Sequence, residues 1–166
     1  MHASAALAAA TLVTMLPHAA AAQPSSAVPA VTVTGGRADF VDDRTVVHGV
    51  VGGGLEWLPT PHIAVGPEVL YMVGPNADRD VFVLGVARIG FRPLRARVSP
   101  FVTAGAGVMS HSDRLAGGPY RSTEGAFVVG TGVRINASPR VFIAPEIVVG
   151  WEAHLRYSVT VGIRLR

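Results

Sequence analysis

Three groups of residues in this chain have the side chains to do chemistry. Ser110-His111-Ser112-Asp113, with Glu124 downstream, contains the parts of an acyl-transfer triad. It offers a hydroxyl to attack, an imidazole to take the proton and an acid to orient the ring. Both serines are sequence neighbours of the histidine, so on a strand they point away from it, and only a loop conformation would bring them together. A second group is the six aspartates, Asp39, Asp42, Asp43, Asp78, Asp80 and Asp113. All fall in, or at the edge of, segments that read as loops, where acidic side chains can hold Ca²⁺ or bridge through divalent cations to phosphates. Asp is also favoured by turn geometry, and Asp78-Arg79-Asp80 is only a fragment of a calcium loop. His48, His62 and His154 stand apart without ligand spacing, so no metal site is expected. The third group, Glu56, Glu68, Arg88, Arg134, Glu146 and Arg164, consists of charges embedded in Val- and Ile-rich segments. Their chemistry depends on what those segments build.

Composition removes several functions. All 14 basic residues are arginine, so neither a P-loop lysine nor a Schiff-base lysine is available. The cysteine count is 0, which excludes thiol catalysis and disulfides. The net charge of +3 comes without an arginine-rich run, so a nucleic-acid partner is not expected. Hydrophobic residues are 49% and charged ones 15%, with mean hydropathy +0.41. That is too apolar for an ordinary wet surface, yet beyond the first two dozen residues no apolar run is long enough for a spanning helix. A length of 166 residues allows one domain.

The apolar run Ala5–Leu16, Pro17 and the Ala20-Ala21-Ala22 site predict a secretory leader over Met1–Ala22. The mature domain is then residues 23–166. It reads as strands over 30–36, 45–58, 62–73, 80–92, 98–110, 124–136, 140–151 and 154–165, with no helical period. Longer connections at 37–44, 74–79 and 111–123 alternate with tight ones, as in an antiparallel up-and-down barrel. In the last strand Leu155, Tyr157, Val159, Val161, Ile163 and Leu165 share one face, opposite Arg156, Ser158, Thr160, Gly162 and Arg164. The polar faces are glycine-rich and carry few charges. They suit the crowded interior of a narrow barrel rather than a wet exterior, which turns the apolar faces toward lipid. Glu56, Glu68, Arg88, Arg134, Glu146 and Arg164 then form a lumen charge network, either a plug that fixes register or a gated ion path. Trp57, Tyr71, Trp151 and Tyr157 lie on the apolar face, as interfacial aromatics do. Around Phe101 and Val102 the pattern leaves open which of the two faces lipid.

With the Ala-x-Ala site, the repeated strands carrying Gly105-Ala106-Gly107 and Gly130-Thr131-Gly132, and the C-terminal strand, the chain resembles the eight-stranded outer-membrane β-barrels of the OmpA/OmpX and opacity-porin type. Members end in polar-x-Gly-x-x-apolar-x-aromatic, read by the barrel-assembly machinery. Thr160-Val161-Gly162-Ile163-Arg164-Leu165-Arg166 follows that pattern to one position short of the aromatic. The resemblance implies an all-β transmembrane barrel in the bacterial outer membrane, with outer-membrane lipid and lipopolysaccharide as surroundings and both termini periplasmic. Arg92, Arg95, Arg97 and Arg140 would then flank periplasmic turns. It also implies a non-enzymatic role in envelope integrity or adhesion, with no catalytic residue and no cofactor. Alternatives are a narrow pore or, since some members modify lipid A with His, Ser and an acid, a hydrolase at His111. A soluble lipocalin-like barrel is the rival fold.

Overall fold

A computed structural model describes residues 29–41, 45–115 and 118–165. The leader expected over 1–22 lies outside the described residues. β-branched residues alternating with small or polar ones favour pleated strands, and eight of them form: β1 (Ala30–Val41), β2 (Thr45–Glu56), β3 (Ile63–Val73), β4 (Arg79–Gly90), β5 (Val98–Leu115), β6 (Gly118–Asn136), β7 (Val141–Gly150) and β8 (His154–Arg164). Each pairs antiparallel with its neighbours, and β8 returns to β1 through pairs such as Val33 with Val161, closing the barrel. Closure leaves no strand edge exposed.

Two expected loops are largely strand. Residues 37–41 continue β1, paired with 45–49 of β2. The segment 111–123 is mostly a continuation of the β5–β6 hairpin, paired as far as Leu115 with Gly118. Asp39 and Asp113 therefore sit in strands, and Asp80 lies near the start of β4. Backbone bonding is indifferent to side-chain polarity, so the ladder runs on after the apolar alternation stops. Residues 74–78 do form a connection, with a 3₁₀ turn at Pro75–Ala77. Asn76 takes φ 58° there, a left-handed conformation that Asn tolerates better than most residues.

The faces separate by side-chain parity. Val33, Val51, Val69, Val83, Ile147 and Val161 are among the many large aliphatic residues exposed on the outside. Phe101 is buried in the lumen and Val102 is exposed, which fixes the parity of β5. The interior is more apolar than the polar-face reading suggests. Ala30, Leu58, Ala64, Leu94, Phe101, Phe142 and Ala144 fill the end that carries the chain termini. Leu70, Met72, Phe82, Leu84, Met109, Val148 and their neighbours fill the other half. Glu68 on β3, Arg88 on β4 and Glu146 on β7 come between the two clusters in sequence, so a charged belt separates the apolar layers.

Glycine makes this filling possible. A Cβ at Gly162 would overlap the Phe142 ring, and one at Gly132 would overlap Phe101. Phe142 is further held beneath two guanidinium groups, with Arg134 at 4.0 Å and Arg164 at 5.3 Å from its centroid. Gly162→Ala is therefore expected to lower stability by about 1–3 kcal/mol, the usual cost of overpacking. Phe142→Leu in the same chain should recover part of that loss. Urea unfolding in detergent micelles, followed by tryptophan fluorescence, measures both.

Candidate functional site

The charged belt is built from strands far apart in sequence, because a closed barrel turns every polar face to one axis. Arg88 is its hub. Its Nε donates to Glu146 Oε2 at 3.1 Å and its Nη2 to Glu68 Oε2 at 2.9 Å, while Nη1 stands 3.9 Å from Glu56 Oε2. Arg134 Nη2 donates to Glu56 Oε2. Arg156 Nη2 donates to Glu146 Oε1 at 3.1 Å, with its Nη1 3.7 Å from Glu68 Oε1. Thr103 Oγ1 completes Glu146 with a 2.9 Å hydrogen bond. Three guanidinium groups thus balance three carboxylates, all buried. A buried charge costs several kcal/mol unless paired, and the planar guanidinium fork can serve two carboxylates at once.

Arg156 is the member the sequence reading did not enlist, although the alternation of β8 puts it on the polar face. Arg164 is buried as expected but stands outside the ion-paired set. Its Nη1 donates to the Pro139 carbonyl at 2.9 Å and its Nη2 to Asn136 Oδ1, so it pins the turn between β6 and β7. The last inward position of β8 lies toward the turn end of the belt, where its guanidinium bonds the turn instead of a glutamate. Near it, Arg95, Arg97 and Arg140 join Arg164 around a cavity of about 650 Å³.

At the opposite end, His48, Asp78, Asp80 and His111 meet. His48 Nε2 lies 2.9 Å from Asp78 Oδ2 and 3.5 Å from Asp80 Oδ2. His111 Nδ1 lies 2.7 Å from Asp80 Oδ1 and 3.6 Å from Asp78 Oδ1. The expectation that His48 stands isolated is therefore corrected: antiparallel pairing delivers β2, β4 and β5 to one rim, a proximity that sequence spacing does not reveal. Gly74 leaves room for the ring, since a Cβ there would run into the His48 imidazole. His154 lies beneath, 4.9 Å from Phe40 and 5.4 Å from Phe82 between ring centroids. Partial burial and the neighbouring Glu124 carboxylate push the Glu152 carboxyl above its ordinary range.

The acyl-transfer parts are not brought together. His111 turns inward to Asp80, whereas Ser110 lies on the outward face of the strand and Ser112 Oγ donates to the Arg79 carbonyl at 3.4 Å. Strand parity governs here, because β5 continues through the segment expected to be a loop. Among the interfacial aromatics, Tyr71, Trp151 and Tyr157 are exposed on the outside, and Trp57 is half-buried at its bridge to Val65. Phe91 and Phe127 are also exposed there, Phe127 packing 5.6 Å from Trp151.

No protein-family model matches the sequence, nor does any curated protein. Solved structures do match. Neisserial surface protein A (NspA) superposes with a TM-score of 0.72 at 12% identity, over 82% of this chain and 97% of that one. The N-terminal β-barrel domain of Pseudomonas aeruginosa OprF gives 0.64 at 11%, again over 82% and 97%. Ail, the attachment invasion locus protein of Yersinia pestis, gives 0.60 at 12% with the same coverage. The chain has the fold of the eight-stranded outer-membrane β-barrels.

Removing the hub of the belt should expose its energetics. Arg88→Met leaves Glu68 and Glu146 to share Arg156 and is expected to cost about 3–5 kcal/mol, the range for breaking a buried pair. Adding Glu68→Gln should cost less than the sum of the two single changes. A double-mutant cycle by urea unfolding in micelles measures the coupling.

Proposed function

We propose that this chain is an outer-membrane barrel with a sealed lumen that serves a structural and surface-interaction role, in envelope integrity or adhesion, rather than conducting solutes or catalysing a reaction. The observation that carries this reading is the pairing of an apolar exterior with an interior filled by its own side chains. The outside offers valine, isoleucine and aromatics where a soluble barrel needs polar cover, and only closed barrels and helices satisfy their backbone in lipid. The inside holds two apolar layers and a balanced charge belt. β5 at 18 residues and β6 at 19 exceed the ~9–11 that a tilted spanning strand needs, so their hairpin has length to stand clear of the lipid as an interaction surface. NspA and Ail, a surface protein and an attachment protein by name, share the fold and support this role by analogy.

In this reading the leader is removed in transit and the assembly machinery takes up the Thr160–Arg166 pattern. Lipopolysaccharide then surrounds the hairpin end, and the arginine-rich turns face the periplasm. The test is cell fractionation, heated and unheated gel electrophoresis of the recovered protein, and planar-bilayer recording. Outer-membrane recovery, a heat-dependent mobility shift and no stable conductance are expected. A soluble periplasmic protein without the shift overturns the membrane reading, and a stable, large conductance overturns the sealed lumen.

A further inference from the structure

We infer that the rim cluster of His48, Asp78, Asp80 and His111 is a binding site for one divalent first-row transition-metal ion. The donor atoms of His48, Asp78 and Asp80 all lie within 4.8 Å of one another. His111 Nδ1 borders the group, 3.6 Å from Asp78 Oδ1 and 2.7 Å from Asp80 Oδ1. His48 Nε2 faces the other two oxygens, Asp78 Oδ2 at 2.9 Å and Asp80 Oδ2 at 3.5 Å, so each aspartate presents one oxygen to each imidazole. An ion held tetrahedrally at ~2.0–2.2 Å separates its donors by about 3.3–3.6 Å. Binding would turn one oxygen of each aspartate into the space between the two imidazoles and draw His111 toward His48.

Two further observations point to a cation. Asp78 Oδ1 is buried and accepts no hydrogen bond. The cavity of about 490 Å³ around the cluster is lined by four carboxylates, Asp78, Asp80, Glu124 and Glu152, and, among the described residues, by no arginine. The chain as a whole is cationic, so this concentration of negative charge is local. Among the described residues, each buried glutamate of the lumen faces arginine, whereas the two aspartates here face imidazoles. A dication bound by neutral imidazoles would balance those aspartates outright. Two imidazole donors disfavour Ca²⁺ and Mg²⁺, which take oxygen ligands, and suit zinc and its neighbours. The apolar floor of Phe40 beneath His48, 4.6 Å between ring centroids, holds that ring in place.

Zinc is the probe. Protein purified from membranes in detergent and stripped with EDTA is titrated with Zn²⁺ by calorimetry, with Ca²⁺ as comparison. One Zn²⁺ per chain and no Ca²⁺ heat are expected. Asp78→Asn and His111→Gln, at the less buried positions, should each weaken zinc binding by about tenfold or more. His62→Gln, at the opposite end of the barrel, should leave it unchanged. Heat-dependent gel mobility verifies that each variant folds, and Co²⁺ bound to the unaltered protein should show the intense visible absorption of a tetrahedral site. Absence of zinc heat, or zinc binding that survives both rim variants intact, overturns the proposal and leaves the cluster as a hydrogen-bonded clamp between β2, β4 and β5.

Discussion

Closing eight strands into a ring leaves an interior only just wide enough for the ring's own side chains, and that limit governs nearly every inward position. Several large residues point inward where the strand beside them offers glycine. Phe142 lies on Gly162, Phe101 on Gly132 and Leu70 beside Gly52. The belt of arginines and glutamates obeys the same limit in charged form. Long side chains lie across one another, and each charge is neutralised by a neighbour instead of by solvent. The apolar layers on either side lower the local dielectric, which strengthens the pairs and raises the cost of any charge left alone.

A barrel filled in this way acts at its ends. One end gathers Arg95, Arg97, Arg140 and Arg164 around a cavity. The other gathers carboxylates and histidines. The two cavities thus carry opposite charge, with a neutral belt between them. In the proposed orientation the arginine end meets the anionic headgroups of the inner leaflet, and the acidic end meets whatever cations and partners the outside supplies. The long β5–β6 hairpin extends that second end, with Tyr120 and Arg121 exposed along it.

The alternation of Val141, Ile143, Ile147 and Val149 against Glu146 was enough to read strands, faces and the inward direction of the charges, because pleating imposes a period of two on any half-buried strand. It does not say which inward residues touch. Arg156 and Glu146 lie 10 residues apart but Arg134 and Glu56 lie 78 apart, and both are contacts. Only the ring and its register decide that. The rim cluster was illegible for the same reason, since His48, Asp80 and His111 come from different strands and carry no spacing signature. The inward place of Phe101 stays open in the sequence because its neighbour Val102 is equally apolar, and alternation alone does not choose between them. The ends of β1, β5 and β6 were misjudged because hydropathy marks where apolar cover stops, not where backbone pairing stops.

The sequence separation of the belt residues has a consequence for assembly order. Arg88 and Glu146 are 58 residues apart, on strands that are not neighbours. Hairpins can therefore form one after another with the belt only part-paired. Arg88 meets Glu68 within β3–β4 and Arg156 meets Glu146 within β7–β8. Arg88 with Glu146 and Arg134 with Glu56 await the ring. Only when β7 and β8 fold in and β8 meets β1 does every ion in the cross-section acquire its partner. A ring closed with the strands slipped would trap lone charges in an apolar shaft, whereas the native closure neutralises them together. The belt thus acts as a checkpoint on the final step, favouring one closed ring over its shifted alternatives.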